Sequence, residues 1–152
     1  MDLILDKSIL NDFKPYMGND GSGVLAAYLI DNIDLSMFRP KCAEYIKKEA
    51  MRTNNLAYVG ESGRLKDRID RDIKNGPLKN AALRRTIASI IDSRINKASE
   101  DVISNWIWKN LRFKIYLCSE SERKILSKYL IDVINPIFNG GPSKFKEYEK
   151  RN

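Results

Sequence analysis

Histidine is absent from this chain. The absence excludes Ser-His-Asp and Cys-His nucleophile pairs, zinc held by histidine, and nucleases that deprotonate water with an imidazole. Cysteine is scarce, since Cys42 and Cys118 are the two in the chain and they form no CxxC pair. A disulfide framework and a structural zinc site are therefore not expected, and a reducing compartment fits best.

A long apolar run is also lacking. No segment approaches the roughly 20 apolar residues that a membrane span needs. The first ten residues carry two aspartates and have neither a basic region nor an uninterrupted apolar stretch, so they do not resemble a secretory leader. We therefore expect a cytoplasmic protein that makes no membrane contact.

Positive charge is in surplus. The 152 residues contain 27 Lys and Arg against 20 Asp and Glu, which gives a net charge of +7. A basic surface gains binding free energy by displacing counterions from phosphates, so nucleic acid is a natural partner. The hydrophobic content of 43% is ordinary for one globular domain with a packed core.

Turn residues divide the chain into strands and helices. A glycine-rich stretch at 18–23 separates an N-terminal arm, residues 1–23, from the apolar run 24–30, which predicts a strand covered on both faces. Residues 56–59 and 112–117 predict two further strands. The order of elements predicts an α/β (α+β) fold with a small three-stranded central sheet flanked by helices.

Helical spacing predicts the remaining elements. A helix begins near Pro40 inside an insert at about 31–55, and others follow near Leu65, over 78–95 and from Ser99. Ser119 begins a capping box, and the helix behind it carries an apolar stripe that we expect to be buried: Ile125, Leu126, Tyr129, Leu130, Val133 and Ile134. Pro136 ends this helix, and residues 140–152 form a charged C-terminal tail.

Several short motifs occur in a fixed order. Tyr28 lies in the first predicted strand, Tyr58-Val59-Gly60 ends the second, and Arg68 follows ten residues after Tyr58. Leu130-Ile131 and then Pro136-x-x-Asn139 close the last long helix. In this order and spacing the motifs resemble those of the GIY-YIG nuclease family, and the resemblance covers roughly residues 24–139, which we take as one GIY-YIG-like domain.

The resemblance implies hydrolysis of a phosphodiester in double-stranded DNA with Mg²⁺ or Mn²⁺. Tyr28 and Tyr58 would position or deprotonate the water, Arg68 would hold the phosphate with its two-pronged guanidinium, and Asn139 would orient its neighbours. Without the resemblance, Tyr28 reads as a core aromatic residue and Arg68 as part of a solvated helix face.

Two positions depart from the family pattern. Asp72 stands where a ring side chain is common, and Ser127 stands where the family has its metal-binding glutamate. A neutral hydroxyl is a poorer Mg²⁺ ligand than a carboxylate, and Glu61 is the nearest candidate to replace it. Three functions stay open: a DNA endonuclease, a catalytically silent nucleic-acid-binding protein of the same fold, and a helical protein–protein interaction domain.

Further basic residues extend the expected nucleic-acid surface beyond the catalytic positions. We place there the motif glycine together with cations on the following helices: Gly60, Arg64, Arg71, Lys79, Arg84 and Arg85. No motif reads a particular base sequence, so specificity would come from loops or from self-association into a homo-oligomer.

Overall fold

The computed structural model describes the backbone of residues 2–5 and residues 21–71 and 81–151 in full. The described elements, in chain order, are β1 (Asp2–Leu5), β2 (Gly23–Leu29), α1 (Pro40–Thr53), β3 (Leu56–Ser62), α2 (Leu65–Ile69), α3 (Ala82–Ile90), α4 (Glu100–Asn110), β4 (Leu111–Leu117), α5 (Glu120–Tyr129) and α6 (Ser143–Arg151). One π-helical turn, Leu130–Ile134, continues α5.

The strands form one antiparallel sheet in the order β1-β4-β2-β3. The three predicted strands are neighbours in it as β4-β2-β3, and the expected α+β fold is confirmed. The additional strand, β1, pairs with β4 at the edge of the sheet and lies within the segment that the sequence analysis treated as an arm.

The two faces of the sheet carry separate apolar clusters. On one face Leu25, Ala27 and Leu29 join the larger cluster, which also takes buried residues from α1, α3 and α4. On the other face Val24 and Ala26 pack with residues of α5 and the π-helical turn. Successive side chains of a strand point to opposite faces, so both faces of β2 are buried and its sequence is apolar throughout.

Local sequence signals determine several helix boundaries. Pro40 begins α1, as predicted, and Asn54 in the left-handed region ends it. The Ser99 hydroxyl accepts from the backbone N–H of Val102, and Ser119 and Glu122 form the predicted capping box of α5. The helix predicted over 78–95 is shorter: α3 ends at Ile90, and residues 78–80 lie outside the described residues.

The apolar stripe predicted as buried on α5 is buried along one side only. Leu126, Leu130 and Ile134 pack against the sheet with the smaller cluster. In contrast, Ile125, Tyr129 and Val133 are 72%, 56% and 63% exposed. The prediction was wrong for these three residues. They are spaced four residues apart and form one row along the helix, and this row faces away from the sheet.

The C-terminal segment is tied to the domain. The predicted charged tail contains α6, whose Phe145 is buried in the larger cluster. Glu149 accepts two hydrogen bonds from the Arg39 guanidinium, at 2.9 and 2.7 Å, and these hold α6 beside α1. Within the described residues, no helix is long and apolar enough to cross a membrane.

A pair of isoleucines, one buried on α4 and one on the exposed side of α5, tests the exposure of Ile125. Ile103→Ala removes a fully buried side chain and should lower the free energy of unfolding by about 2–5 kcal/mol. Ile125→Ala removes an exposed side chain and should change it by less than about 0.5 kcal/mol. Urea denaturation followed by circular dichroism measures both, and equal losses would contradict the exposure of Ile125.

Candidate functional site

Tyr58 and Arg68 meet at the outer edge of the sheet. The Arg68 Nη2 donates a hydrogen bond of 2.8 Å to the Tyr58 phenolic oxygen, and Nη1 donates to the backbone oxygen of Glu61 at 3.4 Å. Tyr58 is only 2% exposed, whereas Arg68 is half-buried and reaches solvent. The buried tyrosine thus helps to fix the orientation of the Arg68 guanidinium.

Helix α2 and Gly60 bring this arginine to the strand. Leu65 and Ile69 anchor α2 in the larger cluster, so Arg68, which lies between them in the helical turn, is held close to β3. A Cβ atom on Gly60 would lie 3.1 Å from both Nε and Nη2 of Arg68. A side chain at this position would therefore push the guanidinium by a few tenths of an ångström, and the glycine of the Tyr-Val-Gly motif leaves room for it.

Asn139 is bound to the same strand. Its Nδ2 donates to the Val59 carbonyl and its Oδ1 accepts from the Val59 N–H, both at 2.9 Å. The preceding Phe138 N–H donates to the Ala57 carbonyl at 2.8 Å. Asn139 therefore pairs with β3 as a neighbouring strand would, and it orients the strand that carries Tyr58 and Gly60.

Two cations hold the turn that leads to Asn139. The Lys144 ammonium donates to Asn135 Oδ1 at 2.9 Å and to the Pro136 carbonyl at 2.7 Å. Arg52 donates to the carbonyls of Ile134 and Asn135 at the end of the π-helical turn. Burial lowers the pKa of Lys144 to about 8, and the charge of Arg52 acts in the same direction.

Ser127 and Glu61 lie on the opposite face, under α5. Ser127 is 6% exposed, and its hydroxyl donates to the backbone oxygen of Lys124 at 3.3 Å. The Glu61 carboxylate accepts a hydrogen bond of 2.8 Å from Arg123 Nε. Arg123 Nη1 also donates to the Ser22 hydroxyl at 3.0 Å, so an ion pair joins α5 to the ends of β2 and β3.

Tyr28 is not brought to Tyr58 and Arg68. Tyr28 packs with the smaller cluster and Tyr58 lies in the larger one, so their side chains leave opposite faces of the sheet. The two residues are close along the sheet, because Tyr58 pairs with Ala27, so the opposite faces alone keep their side chains apart. Its ring contacts the Lys114 ammonium at 5.4 Å and lines a separate cavity of about 220 Å³.

The predicted nucleic-acid-binding residues divide into three groups. Arg84 is fully buried and donates to the Ser104 hydroxyl and the Glu100 carbonyl, so the structure contradicts its assignment to a DNA-facing surface. Arg64, Arg71 and Arg85 are exposed, and Gly60 contacts Arg68. Lys79 and Asp72 lie outside the described residues.

Arg123 is the site residue that the sequence analysis missed. It lies four residues before Ser127 on α5, and this spacing places both on one face of the helix. That spacing was a usable signal, but the partner carboxylate on β3 is distant in sequence and could not be assigned from it.

Comparison with known proteins identifies the family of this chain. The model of the GIY-YIG catalytic domain family matches residues 27–151, more than four-fifths of the chain. The chain therefore belongs to the GIY-YIG family, whose function in general is that of a nuclease. No curated protein and no solved structure matches it.

The divalent cation that this family generally uses does not fit the residues present. Ser127 offers a neutral hydroxyl turned toward its own helix, and the Glu61 carboxylate is engaged by Arg123. In the described parts of the chain no group of three or more His, Cys, Asp or Glu side chains could hold a metal ion. Mg²⁺ and Mn²⁺ need several oxygen ligands, at least some of them anionic, and this arrangement does not offer them.

Replacing Asn139 tests its hold on β3. Asn139→Ala leaves the N–H and carbonyl of Val59 without their partner and should lower the free energy of unfolding by about 1–3 kcal/mol. Asn105→Ala is the control, because Asn105 is exposed on α4, where alanine is well tolerated. Urea denaturation of both variants gives the comparison, and an Asn139→Ala protein as stable as the parent would refute this role.

Proposed function

We propose that this chain binds the phosphodiester backbone of double-stranded DNA at the Tyr58–Arg68 pair, and that in its present sequence it holds DNA without cleaving it. The observation that carries the proposal is the hydrogen bond of 2.8 Å from Arg68 to the buried Tyr58, formed where the motif glycine leaves room for the guanidinium. A guanidinium presents parallel N–H groups that match two phosphate oxygens.

The charge around this pair supports an anionic ligand. The exposed cations Arg64 and Arg71 lie on either side of Arg68 in the sequence, and the whole chain carries a net charge of +7. Such a surface attracts DNA regardless of base sequence. Arg64 also pairs with Asp67 at 3.1 Å, so part of its charge is compensated within the helix.

We expect no cleavage because of the residues on the other face of the sheet, Ser127 and Glu61. Phosphodiester hydrolysis in this family draws on a carboxylate-bound divalent cation, and position 127 holds a serine. The remaining carboxylate, Glu61, is bound to Arg123. Arg68 can hold and polarise a phosphate, but these residues do not supply an anionic metal site.

A DNA endonuclease that uses Mg²⁺ or Mn²⁺ is the second candidate. It is favoured by the contact between Tyr58 and Arg68, because the resemblance assigns both residues to catalysis. This reading requires that another group act in place of the missing carboxylate.

DNA binding can be tested by removing the guanidinium. Arg68→Ala should weaken binding to a fluorescent duplex by tenfold or more and lower the slope of log affinity against log salt by about 1, because one phosphate contact is lost. Arg68→Lys keeps the charge but lacks the paired N–H donors of a guanidinium. Its affinity for the duplex should therefore lie between those of the parent chain and Arg68→Ala. The measurement is fluorescence anisotropy at several salt concentrations.

Arg151→Ala is the matched control for charge, since Arg151 is exposed on α6 and pairs with Glu147. It should change affinity much less than Arg68→Ala. Equal effects of the two substitutions, or an Arg68→Ala protein that binds like the parent, would refute binding at this site. No salt-sensitive binding by the parent chain would refute the proposed function as a whole.

Cleavage is tested with supercoiled plasmid and Mg²⁺ or Mn²⁺. We expect no nicking by the chain as it stands and at most weak nicking by Ser127→Glu, which restores a carboxylate at the family's metal-binding position while Arg123 still holds Glu61. Ser127→Gln is the control, because it has the same size as glutamate and no charge. Nicking by the parent chain that is lost in Tyr58→Phe and Arg68→Ala would instead establish the second candidate.

A further inference from the structure

Arg123 is a charged side chain that the proposed function does not use. Its side chain is only 14% exposed, and it is tied to Glu61 Oε2 at 2.8 Å and to the Ser22 hydroxyl at 3.0 Å. The position that a Cβ of Gly63 would occupy lies 3.5 Å from its Nη1. The guanidinium is thus fixed at the junction of α5 with the ends of β2 and β3.

This junction is next to the family's metal-binding position. Arg123 and Ser127 are separated by four residues of α5, so their side chains neighbour each other on one helix face, with Cβ atoms about 5–6 Å apart. Both are mostly buried between the helix and the sheet. A metal ion bound beside position 127 and the guanidinium of Arg123 would therefore compete for one small volume.

The two cations have incompatible requirements. A guanidinium has no lone pair and cannot ligate a metal, and it uses the carboxylate that a metal would need. A divalent ion placed here would lose Glu61 as a ligand and would be repelled by the charge of Arg123. Ser127, with its hydroxyl donated to Lys124, adds no negative charge to offset that repulsion.

We infer that in this chain Arg123 replaces the divalent cation as the positive group beside Glu61, and that the site binds neither Mg²⁺ nor Mn²⁺. The inference concerns the cation alone and does not require that DNA bind. Its failure and the failure of the proposed function can therefore be told apart, because metal binding and DNA binding are measured separately.

The test is a titration of the full chain with Mn²⁺, in which the spin-resonance signal of free Mn²⁺ reports binding without any nuclease activity. The parent chain should show no saturable site below millimolar Mn²⁺. Ser127→Glu should bind weakly, because Arg123 still holds Glu61. The double variant Ser127→Glu/Arg123→Gln should bind at least tenfold more tightly than Ser127→Glu.

Two further double variants test whether Mn²⁺ affinity depends on the positive charge at position 123 or only on the net charge of the chain. Ser127→Glu/Arg123→Lys keeps a cation in place and should bind Mn²⁺ no better than Ser127→Glu. Ser127→Glu/Lys128→Gln removes one positive charge from the exposed side of the same helix and should also leave the affinity unchanged. Circular dichroism establishes that each variant is folded.

Three results would overturn the inference. The first is saturable Mn²⁺ binding by the parent chain that Glu61→Gln abolishes, and this measurement needs no variant at position 127 or 123. The second is equal Mn²⁺ affinity of Ser127→Glu and Ser127→Glu/Arg123→Gln. The third is an equal gain from Lys128→Gln, which would attribute the effect to net charge and not to Arg123.

Discussion

The outer edge of β3 is the constraint on which the rest of the site depends. An edge strand presents backbone donors and acceptors that need partners, and here the chain after the π-helical turn supplies them through Phe138 and the Asn139 amide. The same pairing fixes the exit of the last long helix against the strand that carries Tyr58. Disrupting it would release both the tyrosine and the helix that covers the opposite face.

Two arginines with different partners lie on the two sides of this strand. On one side, Arg68 donates hydrogen bonds to the Tyr58 phenol and to a backbone carbonyl. On the other side, Arg123 is held by a carboxylate and is compensated. The two guanidiniums thus serve different faces of the sheet, Arg68 beside Tyr58 and Arg123 beside Glu61.

Much of the site could be predicted from spacing along the chain. The ten residues from Tyr58 to Arg68 correspond to a strand end, a short loop and one helical turn, and such local geometry varies little. Tyr28 could not be placed in the same way. A strand buried on both faces has no polar–apolar alternation, so its sequence does not show which of its residues share a face with Tyr58 of β3. The irregular pairing at Ala27 and Tyr28 also shifts the register.

The wrong predictions for Arg84 and Ile125 share a cause. In both cases the environment of the side chain depends on residues that are far away in the sequence. Arg84 looks like a surface cation on α3, but Ser104 and the Glu100 carbonyl of α4 satisfy its guanidinium in the interior. Similarly, Ile125 has the spacing of a buried residue, and only the position of α5 over the sheet shows that it is exposed. Periodicity defines a helix face but does not say how much of it is covered.

Ser127 and Arg123 are electrostatically compatible. A glutamate buried at position 127 would pay the cost of desolvation unless a cation neutralised it, and Arg123 is already engaged by Glu61. In a site without a metal, a small neutral residue that satisfies its hydroxyl within its own helix avoids that cost. The loss of the carboxylate and the presence of the fixed guanidinium thus favour each other, which is why restoring glutamate alone does not recreate the charge balance of a metal site.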